Sequence, residues 1–162
     1  MKKFIALYLF LLSNLALHAT LTKDEVIYIL KNHKERGFYF EGEVSKETLK
    51  VILDFRTNSE KIFINFSESR FGNIVNFYST IVVLDKKPSY ELMEYLLRAN
   101  NFNESLGFFY LYYDSTIDKW FIDYCVRIRE EDLTKTSLIY TIKIIGIYVI
   151  SSRKHISQLL FE

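Results

Sequence analysis

The chain has 162 residues with 21 basic and 20 acidic side chains, one Cys, one Pro and five Gly. A balanced charge without a basic cluster argues against a nucleic-acid partner, a lone Cys excludes an intramolecular disulfide, and so little Pro and Gly excludes a disordered, linker-rich chain. Aromatic residues reach 17%, but Phe, Tyr, Ile, Lys and Asn all have A/T-rich codons, so composition by itself does not mark a binding surface.

Residues 1–19 read as a secretory signal peptide. Lys2 and Lys3 give the positive start, 4–12 an unbroken apolar run, and 15–19 lead to a small residue at a cut after Ala19. A spanning helix needs roughly 20 apolar residues, so the run is too short to cross with polar flanks of its own; an uncleaved anchor is the alternative and the sole expected tie to a membrane. No Cys lies near the cut to carry a lipid. The expected mature chain, 20–162, has 143 residues and, without Lys2 and Lys3, a formal charge of −1. That is one exported domain, periplasmic or secreted, large enough to bury a core.

Thr22 and Glu25 have the spacing of a capping box, in which each side chain satisfies the other's free backbone N–H. The helix they open places Val26, Ile29, Leu30 and His33 on one stripe, and Gly37 offers a left-handed terminus. The period then changes to two. Leu49, Val51, Leu53 and Phe55 alternate with polar residues as a half-buried strand; Thr57-Asn58-Ser59-Glu60 reads as a turn; 61–67 returns with Ile62, Ile64 and Phe66 on one side; Phe71-Gly72-Asn73 turns again into a long strand over 74–84. Segment 38–44 is either a further strand or an extended lead-in.

Asp85-Lys86-Lys87-Pro88 ends the sheet and starts a helix, Pro being tolerated in a first turn, with Leu92, Met93, Leu96 and Leu97 as its stripe. The polar run 100–105 breaks it. A second hairpin follows, 107–114 and 119–129 across Ser115-Thr116-Ile117-Asp118, with Trp120, Ile122, Tyr124, Val126 and Ile128 on one face and Phe121, Asp123, Cys125, Arg127 and Arg129 on the other. A last helix begins near Leu133-Thr134; its run 138–150 is apolar nearly all round except for Thr141 and Lys143, which suits a helix laid across a sheet. The expected fold is α+β: an antiparallel sheet of about five strands with helices on one face, in the order α-β-β-β-α-β-β-α.

Several local sequences look like the YbjN-type domain family, which shares its architecture with type III secretion chaperones. Residues 92–101 resemble its leucine-rich helix ending in Asn, 107–113 and 120–128 its hairpin, and Glu131-Asp132-Leu133-Thr134 the acidic-Leu-Thr start of its last helix. The opening Leu21-Thr22 and the central meander agree in order more than in sequence. The resemblance implies a non-enzymatic, chaperone-like or protein-interaction role, often dimeric in the chaperone branch, and brings no catalytic residues. The export signal departs from the secretion chaperones, which act in the cytoplasm, and favours a partner in the periplasm or at the cell surface.

The residues offer little chemistry. His33 and His155 lie far apart in sequence, and neither His-x-x-x-His nor Cys-x-x-Cys occurs, so no metal site is expected. Cys125 sits mid-strand without a base or helix N-terminus to activate it. Glu130-Glu131-Asp132 precedes a helix, where capping and the helix dipole explain it. Neither a phosphate loop nor a nucleophile elbow is present, so the reading has no catalytic residues and no cofactor.

What remains is surface. If the helices cover one sheet face, the other presents Phe121, Asp123, Arg127 and Arg129, with either Phe109, Leu111 and Tyr113 or Phe108, Tyr110 and Tyr112 beside them. Aromatic and Arg side chains dominate interface cores. The leading expectation is a protein-interaction module binding a protein partner or a second copy through this outer face. The alternative is a small-molecule or lipid carrier with a pocket between the last helix and the sheet, where Lys143 would meet an acidic head group.

Overall fold

A computed structural model describes residues 20–70, 72–101 and 106–161. The expected signal peptide lies outside the described residues, as do Phe71 of the second expected turn and most of the polar run after the second helix. The order is α1 (Lys23–Asn32), β1 (Phe38–Ser45), β2 (Thr48–Phe55), β3 (Asn58–Ser69), β4 (Gly72–Leu84), α2 (Tyr90–Asn100), β5 (Phe108–Asp114), β6 (Lys119–Arg129), a 3₁₀ turn (Glu130–Asp132) and α3 (Lys135–Phe161). This is the expected α+β arrangement. The segment left open between strand and lead-in is β1, which raises the sheet to six strands.

All pairings are antiparallel, in the order β1-β2-β3-β4-β6-β5. The inner face carries Leu49, Val51 and Leu53 from β2, Ile62 and Ile64 from β3, Val75, Phe77 and Ile81 from β4, and Ile122, Tyr124 and Val126 from β6. All three helices contribute to the same core, α1 through Val26 and Leu30, α2 through Leu92 and Leu96, α3 through Leu138, Ile142, Ile145, Val149 and Ile156. The alternation of β2 and the stripe of α1 thus solve one problem, hiding apolar area that contributes about 25 cal/mol per Å².

The helix ends follow local chemistry. Thr22 N–H donates to Glu25 Oε2 at 2.8 Å and Glu25 N–H to Thr22 Oγ1 at 3.3 Å, closing the expected capping box. The helix stops at Asn32 rather than near Gly37, which instead takes φ +83° in the turn leading into β1. Ser89 caps α2 through Leu92 N–H, so Pro88 precedes the helix instead of occupying its first turn. Ser137 N–H donates to Thr134 Oγ1 at 3.1 Å; Thr134, not the acidic triplet before it, caps α3. Glu130 instead accepts from Asn73 Nδ2 at 2.6 Å, and Glu131 faces Arg129 at 3.2 Å.

Three contacts fix helices to the sheet. At Gly146 an added Cβ would fall 2.9 Å from both Leu53 Cδ1 and Phe55 Cζ, so α3 lies directly on β2 there. Arg153 forks onto Glu60, with Nη1–Oε1 at 2.5 Å and Nη2–Oε2 at 2.8 Å, and its Nε donates to Ile81 O at 2.9 Å. The register of β4 shifts between Thr80 and Val82; a bulge takes a residue out of the ladder, and Arg153 meets the Ile81 and Thr80 carbonyls there. At the sheet's other end Asn100 Nδ2 donates to Phe109 O (2.9 Å) and accepts from Phe109 N–H (2.6 Å) through Oδ1. That two-way clamp satisfies backbone groups of an edge strand that would otherwise template aggregation.

Candidate functional site

The face opposite the helices carries no helix among the described residues, and the register decides what stands on it. Phe108 pairs with Cys125, Tyr110 with Asp123 and Tyr112 with Phe121, so of the two expected sets the outer one is Phe108, Tyr110 and Tyr112. From β4, Tyr78 stands opposite Cys125, Thr80 opposite Asp123 and Asn76 opposite Arg127. Side-chain alternation on three adjacent strands therefore converges on one patch.

Its aromatic half is two sets of stacked rings. Tyr112 lies 5.1 Å from Phe121 at an interplanar angle of 9°, Tyr110 lies 5.4 Å from Tyr112, and Phe63 of β3 stacks on Tyr78 at 5.3 Å. Its polar half is a chain of two hydrogen bonds, Arg127 Nε to Asn76 Oδ1 at 3.0 Å and Asn76 Nδ2 to Ser67 Oγ at 3.0 Å, with a separate bond from Asn65 Nδ2 to Thr48 Oγ1 at 3.0 Å. The Arg127 guanidinium carbon lies 4.8 Å from the Phe108 ring centroid, a cation–π contact joining the two halves. Between them opens a shallow hollow of about 330 Å³ lined by Asn65, Asn76, Tyr78, Tyr110, Asp123 and Arg127, among others.

Asp123 forms the floor. Strand alternation placed it on a solvated face, but the structure leaves it only 4% exposed, because large rings from β4 and β5 close over a short side chain. Its Oδ1 is enclosed and makes no hydrogen bond. Burial pushes the carboxyl up from its ordinary value, and the nearby Thr80 and Tyr112 hydroxyls draw it only part of the way back. Burial also raises the Cys125 thiol, keeping it in the unreactive protonated form. The Tyr112 phenol is pushed up to about 12, first by burial and then by the Asp123 charge.

Of the four expected surface residues, Phe121, Asp123 and Arg127 come together in this patch. Arg129 turns aside at the strand end to pair with Glu131. Sequence reasoning missed Tyr78 and Phe63, whose place beside the hairpin depends on β4 pairing with β6 across the intervening α2; no local signal in the sequence announces that pairing.

The remaining candidates have structural occupations. His33 sits edge-on to Phe38 at 4.5 Å and meets Glu35 at 3.1 Å through Nε2. His155 lies 4.7 Å from Tyr95. Lys143, the expected head-group contact of a carrier, pairs with Glu35 at 2.6 Å, and the Lys143 ammonium and His33 together hold that carboxyl below its usual range. No cluster of three metal-ligating side chains occurs among the described residues, and none of their helices is long and apolar enough to cross a membrane. A larger hollow, about 910 Å³, lies among the turns around Arg36, Tyr39, Arg56 and Asn58, but all of its charged and polar side chains are exposed. It lacks the enclosed, unsatisfied group that distinguishes the outer-face patch. No family model and no curated protein matches the chain.

Proposed function

We propose that this chain is a non-enzymatic binding module, exported from the cytoplasm, that engages a protein partner or a second copy of itself through the outer face of its sheet. The observation that carries the reading is the two sets of stacked rings, Tyr110, Tyr112 and Phe121 from β5 and β6 and Phe63 with Tyr78 from β3 and β4, around an enclosed carboxyl with an unsatisfied oxygen. A sheet face meant only for solvent gains nothing from burying a carboxyl with one oxygen left unsatisfied, which is costly; a face completed by another molecule does. Interface cores are enriched in Tyr, Phe and Arg, the residue types found here. The resemblance of the second helix, hairpin and last-helix start to the YbjN-type domain family points the same way, toward protein interaction rather than catalysis.

The carrier alternative has less support, since Lys143 is engaged by Glu35 and α3 lies against β2 at Gly146 without space for a ligand at that point. The test is the double substitution Phe121→Ala with Arg127→Ala, checked for folding by circular dichroism and compared with wild type by light scattering, native mass spectrometry and pull-down. Loss of an assembly seen in the wild type supports the reading. An assembly that survives the double substitution in a folded protein refutes the surface assignment.

A further inference from the structure

Asp123 is a side chain on the outer face that the described residues leave incomplete. It is 96% enclosed, its Oδ1 has no donor, and it lies at the floor of a hollow that opens outward rather than in the core between helices and sheet. An enclosed carboxylate oxygen accepts hydrogen bonds and attracts positive charge. The rings that line the same hollow, Tyr78, Tyr110 and Tyr112, present π faces and hydroxyls, which also favour a cation.

The far end of the hollow shows how this surface receives such a group. There Arg127 lies over Phe108 with its Nε on the Asn76 carbonyl oxygen. Asp123 and Arg127 are four residues apart on one strand, about 13 Å at the rise of a β-strand. The Arg127 guanidinium is engaged by Asn76 and the Phe108 ring, and no ion pair joins it to Asp123 among the described residues, so the place over the Asp123 carboxyl is left to another cation. A metal ion is a poor occupant, because hard cations require several oxygen ligands and Asp123 supplies the hollow's one carboxylate. An anion would meet that carboxylate directly.

We infer that the hollow over Asp123 is a subsite for a guanidinium or ammonium group presented by the protein partner, an Arg or Lys side chain that closes the Asp123 oxygen from outside and is walled by Tyr78, Tyr110 and Tyr112. This rests on the outer-face reading above and specifies the chemistry of the partner's anchor.

The experiment is a titration of the ¹⁵N-labelled protein with N-acetyl-arginine amide and N-acetyl-lysine amide, with N-acetyl-glutamine amide and N-acetyl-glutamate amide as neutral and anionic counterparts. The expected result is saturable shifts at the amides of Tyr78, Tyr112 and Asp123 with the cationic probes, at least tenfold weaker with the neutral one. In Asp123→Asn, which retains the shape and removes the charge, the cationic probes weaken by at least tenfold while the spectrum keeps its native dispersion. Equal responses to cationic and neutral probes, shifts that survive Asp123→Asn, or the absence of shifts at these amides overturn the inference. If the probes fail while the assembly remains sensitive to Phe121→Ala with Arg127→Ala, the cation assignment alone is wrong; if both fail, the outer-face reading falls with it.

Discussion

Replacing Arg153 by Ala removes the one side chain among the described residues that answers Glu60, which is 2% exposed and lies on the inner sheet face at the start of β3. The guanidinium makes two bonds to that carboxylate and also serves the Ile81 and Thr80 carbonyls at the β4 bulge. Breaking a buried ion pair from one side costs about 3–5 kcal/mol, because the surviving charge stays enclosed. The Arg153 side chain is itself 39% exposed, so water can reach the vacated place, and the lower end, about 3 kcal/mol, is the appropriate figure. For a domain of this size each kcal/mol lowers Tm by about 2–4 °C, giving a fall of about 6–12 °C. Thermal and urea unfolding followed by circular dichroism measures it, with the exposed neighbour Lys154→Ala as control. Arg153→Lys keeps the charge but loses the planar fork and should recover only part of the loss. Glu60→Leu with Arg153→Leu removes both charges and should return most of it. A loss in Arg153→Ala no larger than in Lys154→Ala would refute the reasoning.

Three further outcomes follow from the geometry. Asn100→Leu deletes both bonds to the Phe109 backbone and should cost about 2 kcal/mol in urea unfolding, at about 1 kcal/mol per bond, with faster amide exchange at Phe109. Gly107→Ala places a Cβ 2.4 Å from the Cys125 carbonyl oxygen; backbone cannot yield as a side-chain tip does, so unfolding should show a loss of about 1–3 kcal/mol. Asp123→Asn should stabilise the isolated protein in a pH-dependent way. The folded-state pKa of Asp123 is raised by burial among Tyr78 and Thr80 of β4, Tyr110 and Tyr112 of β5 and Cys125 of β6. The folded state therefore binds more protons than the unfolded chain above pH about 4, and wild-type stability falls as pH rises through the folded value. The advantage of Asn should grow over that window, and an advantage independent of pH would contradict the assignment.

Much of the architecture was legible from local signals. Thr22 and Glu25 marked a helix start by chemistry that needs no tertiary context, and the alternation from Leu49 to Phe55 fixed which side of β2 is buried. The four residues from Ser115 to Asp118 bounded the second hairpin. Other features were hidden because they depend on partners distant in sequence. Glu60 reads as a turn residue beside Asn58 and Ser59, yet it faces inward because Arg153, 93 positions later, is there to receive it. The apolar run of α3 ends at Ile150 while the helix continues to Phe161, since Ser152 and Ile156 extend the buried stripe and Arg153 between them reaches Glu60. Asp123 was readable as an outer-face residue from alternation in β6 alone. Its enclosure was not, because the rings that cover it come from two other strands.

The most direct test of the central claim places a photo-activated benzoylphenylalanine at Tyr110, which is half exposed on the outer face, and separately at Tyr140 on the solvent side of α3. Cross-linking in the native setting followed by mass spectrometry identifies what each position touches. The account predicts a discrete adduct, either a second copy or one partner protein, at position 110 and none at 140, with the 110 adduct lost when Phe121→Ala and Arg127→Ala are added. Capture from position 140 alone, or equal capture from both positions, would contradict it.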